Sequence, residues 1–281
     1  MNLTDLGYIR SLCDRYGFNL SKGFGQNFIV NSGICPKIVD ASGITKEWGV
    51  LEIGPGIGVL TQELAKRAKK VVAIEVDTRL PILLKETLAD FDNIKIITAD
   101  VLKCDLKQIL QDEFGDMPVA VCANLPYYIT SPILMKLLEE RLAIEQITVM
   151  VQKEAAQRIC AECGTREAGA ISYAVHYYSQ PQQLFSVQPG SFYPPPRVTS
   201  AVIRLKVHKS PPVLPCSTER MFMVIKAAFS QRRKTAANSI SSGLACNKQD
   251  VISALLKCDK EVNVRPEQLT LEDYAKISNL I

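Results

Sequence analysis

Long apolar runs are missing from this chain. No stretch of its 281 residues approaches the roughly 18 apolar residues of a membrane span, and the first thirty hold no apolar leader segment. The expectation is a cytoplasmic protein with no membrane partner. Histidine is nearly absent, His176 and His208 being the only two, and neither stands in a ligand pattern. The nine cysteines are odd in number and scattered, which argues against a disulfide framework and suits a reducing compartment. Only Cys160-Ala161-Glu162-Cys163 has metal or redox spacing, and with no second pair of ligands no metal is expected. Strong net charge is lacking too. At +4 the chain is not built to coat polyanions indiscriminately, so any contact with them has to be local. Hydrophobic and charged fractions of 47% and 22% are those of an ordinary folded protein, and nothing reads as disordered.

A dinucleotide fingerprint is the next absence. Gly49 to Ile53 reads as a strand that enters Gly54-Pro55-Gly56-Ile57-Gly58, after which Leu60, Leu64 and Ala68 share one helix face. The spacing is G-x-G-x-G, and Val59 occupies a position that G-x-G-x-x-G would not allow to close, so a pyrophosphate fit is not met. S-adenosylmethionine has no pyrophosphate and suits the looser turn, with Gly54 and Gly56 letting a ligand approach the helix start. Val71 to Ile74 is the next strand and ends on Glu75, a carboxylate able to accept both hydroxyls of a ribose. A third, Ile94 to Thr98, delivers Asp100 to the same rim for the cofactor's adenine amino group. A nicotinamide-dependent oxidoreductase is the reading that Val59 opposes.

The most informative stretch is Asn124-Leu125-Pro126-Tyr127, which follows the apolar run Val119 to Ala123. Asn124 offers a side-chain oxygen and the rigid Leu125-Pro126 step aims a backbone carbonyl beside it, two acceptors for the two hydrogens of an adenine amino group. Tyr127 supplies a ring for the base. Four site elements at the carboxyl ends of strands predict an open α/β sheet binding its ligands along that edge. The fold class expected from these elements is α/β, an open Rossmann-like sheet domain suited to S-adenosylmethionine, with a small all-α carboxyl-terminal domain.

Charge and proline mark the boundary. From Lys206 onward 12 Lys and Arg face 7 Asp and Glu, and Ser210-Pro211-Pro212-Val213-Leu214-Pro215 interrupts any helix or central strand. The division predicted is 1–206 for the sheet and 207–281 for the helices. Three short helices are expected, carrying Phe222, Ile225 and Phe229, then Val251, Leu255 and Cys258, then Leu271, Tyr274 and Ile277. Between the first two, Arg232, Arg233 and Lys234 are three consecutive cations, candidates for RNA phosphates.

Taken jointly the motifs resemble the ribosomal RNA adenosine dimethyltransferase family, nearly end to end, and its small-subunit branch most. Lys22-Gly23-Phe24-Gly25-Gln26-Asn27-Phe28-Ile29, Leu51-Glu52-Ile53-Gly54-Pro55-Gly56, Ile74-Glu75-Val76-Asp77 and Asn124-Leu125-Pro126-Tyr127-Tyr128-Ile129 carry the likeness. Gln152-Lys153-Glu154 with Arg158, Phe192 to Ser200, Ala228 to Thr235 and Arg265 to Leu269 complete it. The resemblance implies that Asn27, Ile29, Gly54, Glu75, Asp100 and Asn124 contact the cofactor, and that Tyr127 and Phe192 sandwich the target adenine. It implies the Rossmann-like class I S-adenosylmethionine-dependent methyltransferase sheet domain with a small all-α carboxyl-terminal domain, in a monomer that dimethylates two adjacent adenosines in the 3′-terminal hairpin loop of 16S rRNA, within a 30S subunit or its precursor. Thr199 stands where the family often has Asp, and Cys163-Gly164 where Pro-Gly is common. A large-subunit rRNA methyltransferase, and a non-catalytic assembly or transcription factor on the same fold, are the alternatives.

Overall fold

A computed structural model of the chain describes residues 2–18, 27–231 and 233–281. They form two compact units, Met1–Ala156 with Gln182–Val207, and Gln157–Pro181 with His208–Ile281.

The first unit is built on continuous apolar runs. β2 (Gly49–Ile53), β3 (Lys70–Glu75), β5 (Val119–Asn124) and β6 (Gln146–Gln152) are buried over nearly their whole length, as parallel strands covered on both faces must be. Between them run α3 (Val59–Arg67), α4 (Leu80–Thr87), β4 (Ile94–Thr98), α5 (Leu106–Phe114) and α6 (Thr130–Glu139). β4 lies at the edge and is only partly covered. The chain builds outward from β2 through β3 to β4, then returns to place β5 on the other side of β2. That reversal opens the crevice where such sheets hold ligands. In register, Ile53 stands beside both Ile74 and Ala123, so Gly54, Glu75 and Asn124 leave their strands at one rim.

Beyond β6 the sheet changes direction. β9 (Ser200–Val207) pairs antiparallel with β6, from Gln146 opposite Lys206 to Gln152 opposite Ser200, and β7 (Ser179–Val187) lies on its far side. A separate two-stranded ribbon joins β1 (Phe28–Ile29) to β8 (Phe192–Tyr193), with Ile29 opposite Phe192. The sheet face under α2 (Ile34–Ser42) and α3 carries one core, from Ile38 and Leu64 to Met150 and Val202. On the amino-terminal side, α1 (Leu6–Arg15) is capped by Asp5 and held on Glu86 of α4 by Arg15, Tyr8 and Tyr16.

The second unit gathers α8 (Ala170–Tyr178), α9 (Thr218–Ala228), α10 (Ala236–Leu244), α11 (Lys248–Lys257) and α12 (Leu271–Leu280), α7 (Lys153–Ile159) being the turn of helix that crosses into it. Its core is aromatic where α8 meets the others. Tyr173 stands edge-on to Tyr274 at 5.0 Å and donates its hydroxyl to Leu269 O at 2.6 Å, while Tyr177 meets Phe222 edge-on at 5.3 Å. A boundary drawn at 206/207 leaves Gln157–Pro181 with the sheet, whereas these contacts put the segment with the helices. The proline stretch does separate β9 from α9. A fourth helix, α10, stands where three were expected, because its buried face is made of Ala236, Ala237, Ser239 and Ile240, too small to show as a hydrophobic period.

Candidate active site

The turn after β2 shapes the site. Gly54, Gly56 and Gly58 take φ of 69°, 59° and 92°, a region L side chains rarely adopt. Gly54 N donates to Ile74 O and Gly58 N to Pro55 O, each at 2.9 Å, and Gly58 is the residue from which α3 springs. A Cβ on Gly54 would meet nothing within 4 Å, so the turn looks onto open space. That space is a cavity of about 300 Å³, walled by Asn27, Ile29, Gly54, Gly56, Glu75, Asp100, Asn124, Leu125 and Tyr127 among others.

Three carboxyls face it under different conditions. Glu75 is 5% exposed, and its oxygens receive Asp77 N at 2.8 Å and Gly56 N at 3.3 Å. Burial raises its pKa, and these backbone donors oppose the rise. The next acid, Asp77, is gripped by Arg79 at 2.8 and 2.6 Å, which fixes the loop that carries Glu75. Asp100 is partly open and turns its loop by accepting Leu102 N at 3.0 Å. Glu52, inside β2, is 1% exposed and its Oε2 has no partner among the described residues. Burial pushes its pKa from the ordinary 4.5 up to about 8; Thr61 eases the rise without making a well-formed hydrogen bond, and Glu75 adds to it. The shift favours the neutral carboxyl over the charged one.

The end of β5 is set for recognition of an amino group. Asn124 lines the cavity and donates its Nδ2 to Asn27 O at 3.4 Å, a bond that leaves the amide Oδ1 without a hydrogen-bond partner among the described residues and able to accept. Leu125 N is tied to Met150 O at 3.1 Å, and Pro126 O receives both Ile129 N and Thr130 Oγ1 at 3.2 Å. These bonds lock the short 3₁₀ turn Tyr127–Ile129. Tyr127 is half-buried and its hydroxyl meets Ser200 Oγ at 2.6 Å, a tether from the β5 loop to the first residue of β9.

The chain is similar to known proteins over nearly its whole length. The family profile described as Ribosomal RNA adenine dimethylase matches residues 17–281. The chain belongs to the ribosomal RNA adenine dimethylase family. Within it, the ribosomal RNA small subunit methyltransferase A of Alkaliphilus metalliredigens is 46% identical over 270 residues, 96% of this chain and 94% of that one. The protein of the same name from a Geobacillus species, strain WCH70, is 44% identical over 279 residues, covering 98% and 96%. Among solved structures, a dimethyladenosine transferase from Plasmodium falciparum superposes with a TM-score of 0.73 at 26% identity, over 89% of this chain and 95% of that one. The 23S rRNA methyltransferase ErmE gives 0.69 at 25% identity, over 90% and 99%. The fold is thereby the S-adenosylmethionine-dependent methyltransferase α/β sheet with a helical carboxyl-terminal part. The residues present fit that cofactor: a glycine turn open to the cavity, a held carboxylate at the end of β3, and an unpartnered buried carboxyl in the wall.

Family membership also frames what the structure does not bring together. Phe192 is absent from the cavity wall; it is 3% exposed, paired with Ile29, and packed in the core that includes Met150, Val187 and Val202. Its ring is covered by that core, whereas Tyr127 stands in the cavity wall. Arg233 and Lys234 are exposed in the turn between α9 and α10, past the end of the helix, with no ion pair among the described residues. Arg232 lies outside the described residues. Cys160 and Cys163 are partly buried, and desolvation pushes their thiols up to about 11 and 12; no three His, Cys, Asp or Glu gather among the described residues as metal ligands. No helix of the described residues is long and apolar enough to cross a membrane. Glu52 and Ser200 are additions that the motif reading passed over. An acid inside an otherwise apolar strand was the available signal for Glu52; for Ser200 it was membership of the segment Phe192 to Ser200, which points to no partner.

Proposed function

We infer that the protein transfers methyl groups from S-adenosylmethionine to the exocyclic N6 of adenosine in ribosomal RNA, twice per base. The observation that carries this reading is Asn124, held by its amide nitrogen with its oxygen left to accept, in the same cavity as Glu75. When bound, the cofactor supplies an electrophilic methyl on a sulfonium. Glu75 is assigned the ribose hydroxyls, Gly54 and Gly56 the close approach at the turn, Asp100 the adenine end, and Asn27 and Ile29 the remaining wall.

An adenine amino nitrogen is a weak nucleophile because its lone pair is spread into the ring. The base leaves its stack to reach the cavity. Asn124 Oδ1 and the Leu125 carbonyl accept its two amino hydrogens, which favours the pyramidal nitrogen with an available lone pair. Tyr127 holds the ring face. A neutral amide is no general base, so the proton leaves after transfer, and the catalytic contribution is positioning with fixed dipoles. Phe192 backs the site through its bridge to Ile29, and Arg233 and Lys234, with Arg232, hold RNA phosphates.

The target we propose is the pair of adjacent adenosines in the 3′-terminal hairpin loop of 16S rRNA, in a 30S subunit or precursor, modified in the cytoplasm by a monomer. The names borne by relatives at 44–46% identity support the small subunit. Labelled methyl donor offered with unmethylated 30S particles or with naked large-subunit RNA tests it. Two methyls on each of two small-subunit adenosines is the expected result; label in large-subunit RNA alone sinks the assignment.

A further inference from the structure

Two tyrosines stand side by side in the turn after β5, and the chemistry above uses one. Tyr127 is half-buried with its hydroxyl on Ser200. Tyr128 also lines the cavity, yet it is 61% exposed and its hydroxyl has no partner among the described residues. The turn that carries both rings is itself held by hydrogen bonds. Ile129 N and Thr130 Oγ1 both fasten Pro126 O and hold the 3₁₀ turn in which Tyr127 is half-buried and Tyr128 exposed. A large ring held in water at the mouth of a cavity leaves apolar surface uncovered, and it has a flat face ready for another flat group.

Resting on the proposed reading, in which the target base enters the cavity, the nucleotides on either side of that base must pass the mouth. Their bases have lost a stacking neighbour when the target flips out, and an aromatic side chain replaces it at no cost in sequence specificity. We propose that Tyr128 is an RNA-contact residue that stacks on the nucleobase next to the target adenosine. The two tyrosines then part neighbouring bases, Tyr127 against the one drawn in and Tyr128 against the one left outside. Where the target is a pair of adjacent adenosines, the base on Tyr128 is the other member of the pair, which stays at the mouth for its own turn.

The competing role for an exposed ring at this cavity is a cover over the bound cofactor. Steady-state methylation of unmethylated 30S particles, with calorimetry of S-adenosylmethionine and S-adenosylhomocysteine, separates the two. Tyr128→Ala is expected to raise KM for the particle about 5- to 100-fold, with kcat at saturating particle, cofactor affinity and melting temperature close to wild type. Tyr128→Phe and Tyr128→Trp are expected to restore KM, since the face and not the hydroxyl is used. A Tyr128→Ala protein with unchanged KM overturns the proposal, as does one whose cofactor affinity falls in step with KM, or a Phe variant no better than Ala. Should wild type itself fail to methylate the particle, the functional reading falls first and this inference with it.

Discussion

At the scale of single residues, the site is a set of polar groups whose ordinary freedom has been removed. Asn124 has its nitrogen bonded to Asn27 O and, among the described residues, no partner on its oxygen; Asn124→Ala is expected to fold and bind RNA but lose about 10²–10³ in single-turnover methyl transfer. Tyr127 owes its ring position to a hydroxyl pair with Ser200. Tyr127→Phe and Ser200→Ala should each cost about 0.5–1.5 kcal/mol in kcat/KM for RNA, and the double variant no more than the worse single one; additive losses would show the tether to be irrelevant. Glu52 makes a pH prediction. Its folded pKa is raised from 4.5 to about 8, so between those values the unfolded chain releases a proton that the folded chain keeps, and stability falls as pH rises through the window. Glu52→Gln removes that penalty: urea unfolding should show a small difference at pH 5 growing to roughly 2–4 kcal/mol in the variant's favour at pH 8. Asn124 and Glu75 were legible in sequence because each is a polar residue terminating an apolar run. Ser200 was not, since a hydroxyl pair 73 residues apart leaves no local trace.

At the scale of elements, strands read well and small-residue helices did not. β2, β3, β4 and β5 announce themselves as β-branched runs that end on turn residues, and the observed strands fall on them. α10 is held by contact distance. Gly243 lies so close to α9 that an added Cβ would stand 2.7 Å from Ala227 Cβ and 2.9 Å from its Cα. Gly243→Ala gains about 1 kcal/mol of helix propensity, but forcing the two helices apart costs about 1–3 kcal/mol; a net loss is expected in urea melts, with cofactor affinity unchanged. The ribbon of β1 and β8 was equally hidden. Two strands of two residues each carry no period, so nothing local marks Phe192 as a residue that pairs with Ile29 and enters the core.

At the scale of the whole molecule, the chain visits its helical unit twice. It leaves the sheet near Ala156, contributes α8, returns at Gln182 for the last strands, and leaves again after Val207. Composition registered only the second departure, where charge and proline change together, because α8 has the apolar character of any sheet-covering helix. Tyr173 and Tyr177, buried at the centre of the helical core, belong to that first visit. A fragment of residues 208–281 is therefore expected to be poorly ordered by circular dichroism and amide exchange, since removing two buried aromatics costs about 3–5 kcal/mol each; a cooperative melt in that fragment would count against this account.

The antiparallel β9 has a bearing on how the protein is made. β6 is complete once residue 152 is synthesised, but the partner that covers its open side ends at residue 207. At elongation rates of about 5–20 residues per second, those intervening residues take roughly 3–10 s to appear. For that interval the nascent sheet carries an unpaired apolar edge, the kind of surface that recruits foreign strands. The protein's most aggregation-prone moment thus falls while it is still attached to a translating ribosome, and it ends when the strand that also anchors Tyr127 comes into place.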